Sequence, residues 1–258
     1  DVRRQLLEMK SMVEGMRSLI YFSGMCHDRV KLAKDPAEKA EYSELLEILT
    51  PIIKGYITDK ANEVCSHGVQ VYGGYGFCKD FPVEQLLRDS RIFQIYEGTN
   101  GIQSMDLLGR KIGMNKGKPF MGFLGRIKEA IDKAKGIQGL EAMAVKAEKT
   151  YILYTEVVGE IAKAAMGDKV LNAFAQSHPL LTATGDLTMA WMLLWRAAVA
   201  SEALSKAKGK DSAFYEGQIK TCEFFVNNTL FITEGRLNAI KNMNGAVVEI
   251  SEDAFGTK

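Results

Sequence analysis

The residues best equipped for chemistry stand between Gln70 and Gln103, in the run QVYGGYGFCKDFPVEQLLRDSRIFQIYEGTNGIQ. Gly68, Gly73, Gly74 and Gly76 crowd its start, and without a Cβ they let a backbone come close to a ligand or another chain. Near its end Glu97 is a lone carboxylate in the turn Glu97-Gly98-Thr99-Asn100-Gly101, directly before an apolar helical run. A carboxylate so placed suits proton abstraction next to a carbonyl. Gly98 removes a side chain beside it, and Asn100-x-x-Gln103 matches a capping box. Open N–H groups at the start of the next helix would face a developing oxyanion. A helix terminus favours the charged form of such a carboxylate, whereas burial under an apolar ligand disfavours it. Burial is the larger effect once water is excluded, and it makes a stronger base.

The surrounding residues allow two readings. Tyr72, Tyr75, Phe77, Phe81 and Phe93 could line a ligand pocket or fill the core of the corner. Arg88, Asp89 and Arg91 are expected to form a local ion-pair network that shapes the turn. His67 reads as a surface or interface residue, and Trp191 and Trp195, one turn apart, as core. Two tempting motifs fail on spacing. Gly74-Tyr75-Gly76 lacks the third glycine of a dinucleotide fingerprint, since position 79 is Lys, and no strand precedes it. Gly113 to Pro119 is one residue short of a phosphate-binding loop, with Pro in place of Ser or Thr.

Helices must position these residues. Val2, Leu6, Met9, Val13, Met16 and Ile20 form an apolar stripe on a first helix that should run to about Lys34. Asp35-Pro36, with Glu38 at the capping-box position, starts a second helix. Thr50-Pro51 repeats the device for a third, which carries Ile53, Tyr56, Ile57, Val64 and Cys65 inward and ends in the glycine cluster. Pro82 opens a short helix, and Ile102, Met105, Leu108 and Ile112 give the one after Gly101 an apolar face. The stretch Gly109 to Pro119 reads as a junction. Beyond it the helical period returns at Leu140–Met166, after His178-Pro179, and from about Ala213 to Lys241. Only Ala246 to Ile250 alternates like a strand. The expected fold is all-α: an up-down helical bundle over 1–113, a linker at 114–119 and a second helical domain over 120–258.

Composition excludes several classes. The 258 residues are 47% apolar and 25% charged, ordinary for a globular protein. A net charge of +1 offers no basic face for nucleic acid. No apolar run approaches the ~18 residues of a membrane span. Cys26, Cys65, Cys78 and Cys222 form no CxxC pair and read as free thiols in a reducing compartment, the cytoplasm. His27, His67 and His178 are too scattered for a metal site. The chain opens on Asp1 with a charged, periodic start, so a fragment or processed chain is expected and a signal peptide is not.

Gln70-Val71-Tyr72-Gly73-Gly74-Tyr75-Gly76-Phe77, Pro82-Val83-Glu84, Leu87-Arg88-Asp89, Ile95-Tyr96-Glu97-Gly98-Thr99 and Ile102-Gln103 occur here in order. Together they resemble the C-terminal helical domain of the acyl-CoA dehydrogenase family, over Asp1 to about Met114. From about Phe120 the pattern is similar to the extra helical domain of longer bacterial members, which include the 3-methylmercaptopropionyl-CoA dehydrogenases. The resemblance implies an FAD-dependent oxidoreductase of fatty acid metabolism that dehydrogenates the α and β carbons of an acyl-CoA thioester.

In that reading Glu97 takes the α-proton while hydride passes to flavin N5. Tyr96 and Gly98 border the thioester, and the Glu97 amide N–H with a flavin ribityl hydroxyl polarises its oxygen. Gln70 and Gly74 match contacts to the FAD of a neighbouring subunit, which implies a homo-oligomer, and Thr99 matches a contact to FAD of its own subunit. Gly101 departs from members that carry Gln there. An electron-transfer flavoprotein is the implied electron acceptor. The family's N-terminal helical and middle β-domains have no counterpart in these residues, so the fragment alone is expected to be inactive. A competing reading is a helical oligomerisation module that keeps an inherited motif. The family's DNA-associated branch fits poorly with the +1 charge.

Overall fold

The computed structural model describes residues 1–256, so the last two positions of the expected second domain, 257–258, lie outside the described residues. The described residues contain no strand, and the fold is all-α. Helix α1 spans Val2–Leu32 and α2 spans Pro36–Pro51. The Asp35 carboxylate caps α2 by accepting from Ala37 N at 2.9 Å, as its sequence position foretold, whereas Glu38 turns outward to Arg29 at 3.4 Å. Thr50-Pro51 does not start a new helix. Pro51 keeps helical φ and ψ and runs into a widened π-turn, Ile52–Ile57, which passes without a break into α3, Thr58–Tyr72. Proline has no N–H for the preceding turn and crowds its carbonyl, and a widened turn absorbs both defects. Thr50 donates back to Leu46 O at 2.7 Å instead of capping.

α3 ends where glycine permits, at Gly73 with φ 64°. A 3₁₀ turn, Gly73–Phe77, leads to α4 (Val83–Ser90), a 3₁₀ turn Arg91–Gln94, the Glu97 turn and α5 (Asn100–Asp106). The expected junction is helical through most of its length. A second π-turn, Leu107–Lys111, is followed by a 3₁₀ turn Met114–Gly117 with left-handed Asn115 and Lys116. Then come α6 (Lys118–Lys135), α7 (Glu141–Ala165), α8 (Val170–Ala175), α9 (Ser177–Leu204) and α10 (Lys210–Asn242). The strand-like tail is instead one helical turn, α11, Ala246–Glu249. No sheet edge is present among the described residues for it to pair with.

One apolar core runs across the junction, from Met12 and Ile48 through Ile127 and Tyr154 to Leu237. At its centre lies α9, buried on nearly every side from Leu180 to Leu194, as a helix without a polar face must be. It packs against α10, α7, α6, α5, α1 and the first π-turn. This position corrects two sequence readings. On α1 the buried side includes Ser11, Met12, Gly15, Met16, Leu19 and Phe22; Met16 and the core-packed Val13 of the expected stripe are thus placed as expected, whereas Val2, Leu6 and Ile20 are exposed. Gly15 faces α9: a Cβ there would lie 2.1 Å from Met189 Cε. Trp191 is buried edge-on to Phe22 at 5.0 Å, but Trp195 is 44% exposed at the rim.

The tightest approach joins the two halves. Gly185 on α9 faces the Tyr56 ring so closely that a Cβ would sit 2.0 Å from Cδ2. Gly185→Ala is therefore expected to lose about 1–3 kcal/mol of stability by overpacking. Gly122→Ala, on α6 with nothing within 4 Å of its Cβ, should instead gain about 0.5–1 kcal/mol through helix propensity. Urea denaturation of both variants checks the contrast.

Candidate active site around the Glu97 turn

Glu97 lies on an exposed turn with φ 55°, followed by Gly98 at φ 79°. The left-handed region is free to glycine but costs an ordinary residue about 1–2 kcal/mol, so the turn needs outside support. Among the described residues, no side-chain hydrogen bond or ion pair engages the Glu97 carboxylate. Thr99, not Asn100, is the N-cap of α5: its Oγ1 accepts from Ile102 N at 3.2 Å. Asn100 is released for another role.

Asn100 is 5% exposed and points into the helix below. Its amide donates to Gly55 O at 3.0 Å, Thr58 Oγ1 at 2.9 Å and Asp59 Oδ1 at 2.7 Å, and its carbonyl accepts from Lys54 Nζ at 2.8 Å. These partners all belong to the first π-turn and the start of α3. Gly55 O, which also accepts from Thr58 N, is thus shared with the first residue of α5. Gly55 also lets α5 and α9 close in, since a Cβ would meet Leu181 at 2.5 Å. On the other flank of the turn Gln94 Nε2 donates to the same Asp59 Oδ1 at 2.7 Å, and His178 Nε2 approaches Oδ2 at 3.1 Å.

The charges around the turn shift one another. Burial alone would raise the Asp59 carboxyl, but the hydrogen bonds from His178, Asn100 and Gln94 hold it below the usual carboxylate range. The bond to Asp59 raises the His178 imidazole above its ordinary value, against its partial burial. Burial lowers the Lys54 ammonium although Asp59 and Glu97 pull it upward.

The remaining expected site residues form a second exposed strip. Gln70 is exposed near the end of α3, and Gly73 and Gly74 present an open face where a Cβ would meet nothing within 4 Å. Gly76 does the opposite job: a Cβ there would strike Val69 O at 2.4 Å, so it lets the 3₁₀ turn fold back on α3. Tyr96 is exposed and stacks on Phe93 at 5.9 Å. Tyr72 and Tyr75 flank Phe81, and Phe77 is 84% exposed. These aromatics are neither core nor the wall of an enclosed pocket. Most of them are exposed, as are Ile92, Ile95, Ile102 and Met105. For FAD, which the resemblance implies, Gln70, Gly74 and Thr99 offer contacts on an open face without enclosure.

Two further expectations need correction or completion. Arg88, Asp89 and Arg91 form no ion-pair network among the described residues; Arg91 Nη1 donates to Gln94 Oε1 at 2.6 Å. Exposure leaves such charges better solvated by water than by one another. His67 lies 3.8 Å from Glu8 on α1, a partly exposed pair. The sequence reading overlooked Lys54, Asp59, Gln94 and His178. Among the described residues no group of His, Cys, Asp and Glu is arranged to hold a metal, and no helix is long and apolar enough to cross a membrane.

Residues 1–112 match the family described as acyl-CoA dehydrogenase, C-terminal domain, and residues 123–251 match acetyl-CoA dehydrogenase C-terminal like. A 3-methylmercaptopropionyl-CoA dehydrogenase of Ruegeria pomeroyi is 36% identical over 89% of this chain and 39% of its own. A butyryl-CoA dehydrogenase of Syntrophomonas wolfei is 31% identical over 99% of this chain and 42% of its own. The chain thus spans about two fifths of the length of these relatives. The crystal structure of an acyl-CoA dehydrogenase complexed with FAD from Bacillus anthracis shares the fold. Its TM-score is 0.61 at 20% identity, covering 96% of this chain and 41% of that one.

The Asp59–His178 pair sets a pH dependence whose sign follows from linkage. His178 has a raised value in the fold, so its stabilisation is complete below the unfolded value of about 6.5 and is lost as pH rises through the folded one. Asp59 has a depressed value, so its contribution is present above about 3.9 and is lost only as pH falls through the folded value. Between pH 6 and pH 9 only the His178 contribution changes. The melting temperature should fall by about 1–2 °C more in the wild type than in His178→Ala over that range, the imidazole being half exposed. Thermal melts at the two pH values check this.

Proposed function

This chain belongs to the acyl-CoA dehydrogenase family, and from that premise we propose that it is the C-terminal portion of a longer FAD-dependent acyl-CoA dehydrogenase. Glu97 is the base that removes the α-proton of an acyl-CoA thioester. The observation that carries this reading is the state of Glu97 itself: an exposed carboxylate, unengaged by any side chain among the described residues, on a backbone held in a costly conformation. A strained residue persists only where its surroundings over-determine it, and such residues concentrate at active sites. A base must also be free of ion pairs that would lower its proton affinity.

In this reading the carboxylate of Glu97 receives the α-proton, and its amide N–H donates to the thioester oxygen on which enolate charge collects. A fixed backbone donor helps most where charge develops in the transition state. Tyr96 and Gly98 flank the thioester. FAD supplies the acceptor for the β-hydride when bound. Gln70 and Gly74 contact the cofactor of a neighbouring subunit in a homo-oligomer, and Thr99 contacts that of its own. The exposed aromatic strip from Tyr72 to Met105 is the surface on which the other parts of the enzyme complete the pocket. An electron-transfer flavoprotein reoxidises the assembly. The units 1–113 and 120–258 are two family segments sharing one core, with 114–119 as the junction between them.

Two experiments test the reading. In the full-length protein Glu97→Gln should lower kcat by about 10²–10⁴-fold, and dehydrogenation at a normal rate would show that the base lies elsewhere. The 258-residue chain alone, given FAD, an acyl-CoA and an artificial electron acceptor, should not turn over. Clear turnover there contradicts the half-site.

A further inference from the structure

Behind the Glu97 turn lies a polar cleft of about 480 Å³, bounded by α3, α9 and α10 and lined in part by Asp59, Lys60, Glu63, Gln94, His178 and Arg236. Three donors from three elements converge on the Asp59 carboxylate. Gln94 and Asn100 both donate to Oδ1 at 2.7 Å, and His178 Nε2 lies 3.1 Å from Oδ2. Gln94 and Asn100 are the two residues that bracket Ile95–Thr99, so a single oxygen pins both ends of the segment that carries Glu97. His178 stands at the start of α9, so the C-terminal segment reaches this oxygen pair directly.

We propose that Asp59 is the clasp of the Glu97 turn and that His178 is a positioning residue, through which the C-terminal segment sets how firmly the turn is held. The catalytic consequence rests on Glu97 being the base; the clasp itself does not. A protonated His178 holds Asp59 by a hydrogen bond and by charge, whereas the neutral ring keeps at most the hydrogen bond. The other charged groups facing the pair are Lys54 on the π-turn, Lys60 and Glu63 on α3, Arg236 on α10 and Glu97 beyond. Arg236 opposes protonation of His178, and the hydrogen bond to Asp59 outweighs it.

Hydrogen exchange of the 258-residue chain at pH 6 and pH 9, read as protection factors over residues 95–101, tests the clasp. Asp59→Asn should lower protection there about tenfold. His178→Ala should lower it about threefold at pH 6 and less at pH 9, and His178→Gln should restore protection but flatten the pH dependence. Lys149→Ala, an exposed lysine paired with Glu234 at 2.8 Å, should leave the segment unchanged. Unchanged protection of 95–101 in both Asp59→Asn and His178→Ala overturns the proposal. So does a loss spread equally over α9 without pH dependence, because that is the mark of a merely structural residue. In the full-length flavin-loaded enzyme His178→Ala should lower kcat about threefold with KM unchanged, most at low pH. Normal turnover in Glu97→Gln together with a loosened turn in Asp59→Asn would leave the clasp standing and remove the base assignment. Loss of turnover in Glu97→Gln with an unaltered turn in Asp59→Asn would do the reverse.

Discussion

The buried carboxylate of Asp186 is the interaction on which the rest of the structure depends. It sits on α9, 1% exposed, and accepts from Tyr56 Oη at 2.8 Å, Thr233 Oγ1 at 2.8 Å and Arg236 Nη1 at 2.7 Å. Burial pushes its proton affinity up, and the charges of Lys60 and Arg236 with the hydrogen bonds of Tyr56 and Thr233 pull it back. A buried charge is tolerated only with its partners in place, and removing one partner of such a group costs about 3–5 kcal/mol. The partners come from the π-turn and from α10, so they specify how the two family segments sit on each other. Tyr56 can reach Asp186 because Gly185 leaves room for its ring and because the turn around it is widened.

The same widened turn serves the candidate site from its other side. Tyr56 faces inward to Asp186, while Gly55, Thr58 and Asp59 face Asn100 and support the Glu97 turn. The central packing and the site are therefore two faces of one local irregularity. The junction between the segments is tied down nearby, where Lys111, 2% exposed, pairs with Glu47 on α2. The outward surface behaves differently. Between Tyr72 and Met105 it leaves many large apolar side chains exposed, with Tyr72 and Tyr75 against Phe81 and Tyr96 against Phe93.

Much of this was legible in the sequence wherever a rule acts over three or four residues. The Asp35 cap, the glycine stop of α3, the approximate extents of α7 and α10 and the turn at Glu97 all follow from local spacing. What was not legible depends on distance or on rotation. Asp59 and His178 are 119 positions apart, and no periodicity links them. Asn100 looked like a cap because its spacing to Gln103 fits one, yet the Thr99 hydroxyl takes that place without a capping box and leaves Asn100 free for deeper partners. On α1 the expected stripe held only in part, with Met16 buried and Val13 against the core, because the buried side is rotated toward Met12, Gly15, Leu19 and Phe22, and Gly15 there lets Met189 of α9 approach. Pro51 reads as a helix start wherever a π-turn is not anticipated.

The support of Glu97 also explains why its own carboxylate is left alone. A residue with a left-handed backbone could be held by a salt bridge from its side chain, and Lys54 is near enough to feel its charge. A direct pair would fix the carboxylate but lower its proton affinity, which defeats a base. Here Lys54 is occupied by the Asn100 carbonyl at 2.8 Å, and the fixing bonds fall on Gln94 and Asn100, just outside the turn. The backbone of the turn is thereby over-determined while the carboxylate stays free for the proton transfer we propose. Positioning and basicity make opposite demands on one residue, and moving the restraint to its neighbours meets both.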